Sequence, residues 1–126
     1  MVKRAATREA FGKPIAKLGG NLEIISRARI EINAMRLAVL QAARAMDVLG
    51  NKEARVYVSA VKAMVPEKVC LIIDQAIQMH GAAGISQWTP LADMYTDMRH
   101  LRFADGPDEV HHMVVGRAEV QKHGLW

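Results

Sequence analysis

Apolar residues recur in steps of three and four along most of this chain. Between Asn21 and Leu49 they fall at Leu22, Ile25, Ala28, Ile32, Met35, Val39, Ala42, Met46 and Leu49, the spacing of one buried stripe on a long amphipathic helix. Arg27, Arg29, Glu31, Arg36 and Arg44 lie off the stripe. Gly19-Gly20-Asn21 opens this helix, with Asn21 as the expected N-cap, and Gly50-Asn51 closes it. A second helix runs from about Lys52 to His80, carried by Val58, Val61, Val65, Val69, Ile72, Ala76 and Met79 and widened by Tyr57, Ile73 and Ile77. Pro66 lies inside it and is expected to kink or divide it, because proline removes a backbone donor and crowds the preceding turn. Gly81 stops it.

A third, shorter helix is expected from Pro90 to about Leu101, with Leu91, Met94, Tyr95 and Met98 on one side. A last one begins with Pro107 at its first position and turns Val110, Met113, Val114 and Val120 inward. No segment alternates apolar and polar residues as a half-buried strand does, so the pattern excludes a sheet. Two helices of nearly thirty residues, each ~40 Å long at 1.5 Å per residue and joined by a short turn, must lie antiparallel. The two shorter helices cover the rest of the stripe. The expected fold is all-α, an up-and-down four-helix bundle in one domain spanning residues 1–126.

Composition narrows the function without deciding it. The chain has 126 residues, one domain's worth, with a single cysteine, Cys70, which rules out an internal disulfide and fits a reducing compartment. Its formal charge is +4, but the basic residues are interspersed with acids and no basic stripe carries interleaved aromatics. That argues against a nucleic-acid surface and leaves room for anionic nucleotides or coenzyme A thioesters. No apolar run approaches the ~20 residues needed to cross a bilayer, so a soluble, intracellular protein is expected. His80, His100, His111, His112 and His123 show no metal-ligand spacing, and the adjacent His111 and His112 point to different faces. The eight methionines read as filler for irregular gaps in a core.

Three segments carry candidate chemistry. In Arg8-Glu9-Ala10-Phe11-Gly12-Lys13-Pro14, the guanidinium of Arg8 offers a planar fork to phosphate and Phe11 offers a face to an adenine base. In Gln78-Met79-His80-Gly81-Ala82-Ala83-Gly84, small residues just past a helix end let backbone N–H groups approach a phosphate. A helix C-terminus is the wrong pole for an anion, so turn amides and Gln78, not the dipole, must hold it. A helix C-cap explains the same segment without any ligand. In Arg102-Phe103-Ala104-Asp105-Gly106-Pro107-Asp108-Glu109-Val110-His111, Asp108 and Glu109 complement a helix N-terminus. Asp105 lies outside that helix among Phe103, Ala104 and Pro107, where apolar neighbours would raise its pKa and suit it to a general base.

In this order, with long helices between them, the three segments resemble the C-terminal helical domain of the acyl-CoA dehydrogenase family, over essentially the whole chain from Arg8 to about Arg117. The resemblance implies FAD as cofactor, an acyl-CoA thioester as substrate, and an electron-accepting flavoprotein or oxygen as the oxidant. It implies a homodimer or homotetramer in which Arg8 and Phe11 reach the adenosine pyrophosphate of FAD bound mainly to the neighbouring subunit. Gln78, Gly81 and the amides of Ala82 to Gly84 would line the same stretch, and Glu109 would touch the flavin nucleotide. Asp105 falls where the family usually carries a glutamate base. Its side chain would remove the α-proton as hydride leaves the β-carbon for the flavin, while its backbone N–H helps polarise the thioester carbonyl.

The sequence departs from the family pattern at several places. Asp105 is one methylene shorter than the usual glutamate, and Pro107 replaces a threonine whose hydroxyl often meets the cofactor. Ala82 stands for the second glycine of a Gln-x-x-Gly-Gly pattern, and Thr96 for a frequent arginine before Asp97. The form Ala104-Asp105-Gly106-Pro107-Asp108-Glu109-Val110-His111 resembles the branch whose members often join this domain to a kinase-like region. The family's N-terminal helical and middle β-domains are absent from these residues, so the chain by itself is expected to be inactive. Gly124 breaks a last helix that the family usually continues. A free-standing, non-catalytic helical dimerisation or nucleotide-binding module is the alternative. Mitochondrial matrix, peroxisome and bacterial cytoplasm are equally compatible.

Overall fold

The computed structural model describes residues 1–125, and helices dominate it. In order they are α1 (Val2–Thr7), α2 (Asn21–His80), α3 (Leu91–Leu101) and α4 (Asp108–Lys122), with 3-10 turns at Ile15–Lys17 and Gly81–Ile85. Helix α2 is two helices in one run: Gly50, at φ 77° and ψ 171°, breaks the helical geometry, a conformation open to glycine and costly for other residues. Residues 21–49 form a first arm and residues 51–80 a second. Glu31 pairs with Lys68 at 3.0 Å, Ala28 shares a groove with Leu71, and Val39 and Ala42 share one with Val58 and Val61. The arms are therefore antiparallel, as the short turn requires.

The second arm is the centre of the molecule. Met94 and Met98 of α3 meet Ile72, Ile73 and Val69; Arg102 reaches Glu67 at 3.9 Å; Lys62 bonds the carbonyl of Gly106 at 3.0 Å; and His111 of α4 meets Ser59. Partners on the arm fall steadily in number as the chain proceeds. Helices α3 and α4 thus run one after the other, each antiparallel to the second arm, α3 on its later half and α4 on its earlier half. The fold is all-α with the helices expected from the periodicity, but α3 and α4 share one direction along the second arm instead of alternating up and down.

The deepest positions are small. Ala28, Met35, Ala42 and Ala45 on the first arm, and Ala54, Ser59, Ala63, Pro66, Cys70, Ile73 and Ala76 on the second, are buried. Small side chains let helix axes approach closely; on the first arm Ala28, Met35 and Ala42 lie on the expected stripe, while on the second the buried line sits about one residue from the valine stripe expected to face inward. Leu22, Leu49, Val58, Val110 and Met113, expected on inner faces, are exposed. Periodicity locates an apolar face, but the flank of it that is covered depends on where α3 and α4 dock.

Four local expectations change. Helix α2 runs through Pro66 without leaving helical geometry, so the proline does not divide it; Pro66 is buried and borders a groove shared with Val39, Ala42 and Met46. Asn21 is the first helical residue, not the N-cap, and its Nδ2 donates to the Ile15 carbonyl at 2.7 Å. Pro107 is the N-cap of α4, one residue before the expected place. The exclusion of a sheet fails at one point. Glu9–Ala10 and Lys13–Pro14 pair antiparallel, Glu9 opposite Pro14 and Ala10 opposite Lys13. The turn residues Phe11 and Gly12 have φ 52° and 74°, the two positive values that a two-residue type I′ hairpin needs. Strands of two residues are too short to show alternation. Helix α4 ends at Lys122 and Gly124 follows at φ 71°, in keeping with the expected break.

Candidate functional site

The predicted residues gather in two places. The N-terminal hairpin packs beside the C-terminal end of α2, where Arg4 Nη2 donates to the His80 carbonyl at 3.4 Å, a cation at the negative pole of the helix. Phe11 and Gln78 line one cleft of about 380 Å³ with Ala10, Ile15, Leu18, Asn21, Ile24, Gln75 and Met79. Phe11 is 94% exposed, and a bulky aromatic at positive φ is held there against its own preference. Arg8 is exposed at the base of the hairpin, where its carbonyl accepts from Ile15 N–H at 2.8 Å. Among the described residues its guanidinium makes no ion pair.

Gly81 ends α2 at φ 64°, and it and Ala82 are exposed. The turn is anchored through Ala83, whose carbonyl accepts from the hydroxyls of Ser86 at 2.9 Å and Thr89 at 3.0 Å. Gly84 differs from its neighbours: it is buried, and a Cβ there would lie 2.6 Å from the Ile77 carbonyl oxygen. Close approach of the turn to its own helix accounts for this glycine.

The second place is the loop between α3 and α4. Asp105 has φ 55° and is exposed; Phe103, Ala104 and Pro107 do not enclose it. The apolar surroundings expected from its neighbours in sequence are therefore missing in this chain, because Phe103 is 58% exposed and packs edge-on to His100. What the loop does have is a set of inward anchors. Lys62 Nζ donates to the Gly106 carbonyl at 3.0 Å. The His111 ring bonds the Asp105 carbonyl through Nε2 and Ser59 Oγ through Nδ1, both at 3.3 Å. Arg102 Nε donates to Asp108 Oδ2 at 2.6 Å, and the Asp108 N–H to the Arg102 carbonyl at 3.0 Å. The bonded Asp108 carboxylate holds the Arg102 guanidinium above its ordinary range, against the opposing effect of burial. Glu109, beside buried Asp108, is exposed in the first turn of α4.

The two places do not meet within one chain. Lys62 and Gln78 lie on the same arm, about 24 Å apart at 1.5 Å per residue. Sequence reasoning singled out Asp105 but not the side chains that hold its loop, Ser59, Lys62, Arg102 and His111, and it assigned Asp108 only to the helix dipole. A signal was available. Ser59 and Lys62 stand three apart on one helix and Asp108 and His111 three apart on another, the spacing that puts each pair on one face.

This arrangement is a helical-bundle domain that carries an outward carboxylate on an anchored loop. The family described as "Acyl-CoA dehydrogenase, C-terminal domain" matches residues 1–120. Mouse acyl-CoA dehydrogenase family member 10 is 48% identical over 121 residues, 96% of this chain and 11% of the relative. Mycobacterium tuberculosis FadE2, assigned as an acyl-CoA dehydrogenase, is 48% identical over 122 residues, 97% of this chain and 30% of the relative. A solved structure from Mycobacterium abscessus, assigned to the same enzymes, superposes with a TM-score of 0.95 at 48% identity, covering 97% of this chain and 30% of that one. The chain belongs to the acyl-CoA dehydrogenase family and corresponds to its C-terminal domain. It spans less than a third of the length of these relatives.

Proposed function

We propose that this chain is the C-terminal helical domain of an FAD-dependent acyl-CoA dehydrogenase, with Asp105 as the base that takes the α-proton from an acyl-CoA thioester. The observation that carries the reading is the loop itself. Asp105 is held at positive φ, its carbonyl and that of Gly106 are turned inward to His111 and Lys62, and its carboxylate is left facing outward. Among the described residues its backbone N–H donates to no acceptor, so it is free to polarise the thioester carbonyl and acidify the α-carbon. The carboxylate then accepts the α-proton.

The residues near Phe11 fit the nucleotide half of FAD. An exposed ring on a stiff two-residue turn, a free guanidinium at Arg8, the Gln78 amide and the exposed turn at Gly81 and Ala82 offer a stacking face and phosphate donors. Glu109, exposed in the first turn of α4, would contact the flavin nucleotide from the other site. When bound, the flavin supplies the acceptor for the hydride that leaves the β-carbon. An electron-accepting flavoprotein or oxygen would be the oxidant that restores the flavin.

The ~24 Å between the two places fits a homodimer or homotetramer in which the Phe11 cleft of one subunit serves the cofactor of its neighbour. Exposed Ile30, Leu37 and Leu40 on the first arm supply apolar surface for such contacts. The test is purification of the full-length polypeptide. It should carry FAD and lose its visible colour on anaerobic mixing with acyl-CoA, and a colourless protein that binds neither FAD nor ADP would contradict the reading.

A further inference from the structure

We infer that His111 is a positioning residue for the Asp105 base, tying the loop to the buried hydroxyl of Ser59. The inference rests on Asp105 being the base. A non-glycine residue at φ 55° sits in a sparsely populated region and stays there only when its surroundings over-determine it. Two consecutive peptide planes are fixed by side chains: that after Asp105 by His111 Nε2 at 3.3 Å, and that after Gly106 by Lys62 Nζ at 3.0 Å. Those planes set the direction in which the Asp105 carboxylate leaves the backbone.

His111 is itself held. With Nε2–H donating to the Asp105 carbonyl, a neutral ring has Nδ1 free to accept from Ser59 Oγ. Ser59 is 4% exposed on the second arm, so its hydroxyl is a fixed point and not a mobile surface group. The ring also lies against Gly106, where an added Cβ would come within 3.2 Å of Nε2. A chain of contacts thus runs from the core helix, through one imidazole, to the backbone of the base. His112, one residue on, is exposed and has no such contact among the described residues.

The experiment uses the full-length enzyme with His111→Ala, His111→Gln, Ser59→Ala and Asp105→Asn. It measures flavin content, the rate constant of flavin reduction at saturating acyl-CoA, the kinetic isotope effect from α-deuterated substrate, and amide exchange across residues 103–107. For His111→Ala, flavin content should be retained, reduction should slow roughly 10- to 100-fold, the size of a displacement near 1 Å, and the isotope effect should rise. Exchange should accelerate in 103–107 alone. His111→Gln keeps a donor and an acceptor and should recover most of the rate. Ser59→Ala, which keeps the ring, should show the same changes at smaller size and decides the matter if both His111 variants misfold. Normal rate, isotope effect and exchange in Ser59→Ala and the folded His111 variants would overturn the inference. So would a rate loss that merely follows flavin loss and is not rescued by glutamine. Unimpaired reduction in Asp105→Asn would instead remove the base assignment, whatever the His111 variants do.

Discussion

Phe11 and Asp105, 94 positions apart in sequence, share one backbone property: they are the two non-glycine residues among those described with positive φ, at 52° and 55°. Each heads one of the two candidate sites. A left-handed conformation costs an L-residue roughly 1–2 kcal/mol, and neither a phenylalanine nor an aspartate is the residue that local stability alone would place there for free. Strain of this kind concentrates where a side chain must be aimed.

Phe11→Asn separates that cost from its use. Asn-Gly is a preferred pair for a type I′ turn, so the flavin-free protein should gain about 1 kcal/mol, read as a rise in Tm. The same variant should retain FAD roughly tenfold less well in equilibrium dialysis. A stabilised protein with unchanged flavin affinity would remove Phe11 from the cofactor site.

Gly84→Ala tests the packing explanation for that glycine. Its Cβ would lie 2.6 Å from the Ile77 carbonyl oxygen and 2.8 Å from the Ile77 Cα, and both are helix backbone that cannot yield. A loss of ~1–3 kcal/mol is expected, visible as a Tm several degrees lower, whereas an unchanged Tm would mean that the turn is free to lift off the helix.

Lys62→Met removes the donor to the Gly106 carbonyl while keeping the length of the side chain. It also leaves Asp108 to Arg102 alone, since Lys62 Nζ stands 4.0 Å from Asp108 Oδ1. Flavin reduction by acyl-CoA should slow on the order of tenfold with flavin content unchanged. A normal rate in stopped-flow measurements would show that the loop holds its shape without this anchor.

Cys70 gives a pH prediction. Burial pushes its thiol above the ordinary range, outweighing the nearby guanidiniums of Arg102 and Arg99. The native protein should react slowly with a thiol reagent at about pH 8 and fully once unfolded. The sign for stability follows from the raised value. The folded state holds the proton more tightly than the unfolded one, so native stability is unaffected below the ordinary thiol pKa and falls as pH rises through the raised one. Rapid labelling of the native protein would contradict this.

Much of the fold was legible because long helices repeat their signal. Nine apolar positions from Leu22 to Leu49 and the glycines at 50 and 81 mark both arms and their ends. On the first arm the buried Ala28, Met35 and Ala42 lie on the expected stripe, but the inner flank of the second was not legible, since Ala54, Ser59 and Cys70 carry little apolar signal yet are buried by the later docking of α3 and α4. The hairpin at Glu9–Pro14 was hidden because two-residue strands have no periodicity. Phe11, Gln78 and Asp105 stood out through resemblance, and the structure brings the first two to one cleft. The spacing of Ser59 with Lys62 and of Asp108 with His111 put each pair on one helix face, but not the two faces against each other. Ser59 and His111 are 52 residues apart, and nothing local links them before the bundle closes.

The most direct test of the account is anaerobic stopped-flow mixing of the full-length Asp105→Asn enzyme with acyl-CoA. The substitution removes the proton acceptor while keeping the shape of the side chain. Flavin content should be normal and the reduction rate lower by roughly 10²- to 10⁴-fold, the contribution of a general base. Flavin bleaching at the unmutated rate would contradict it.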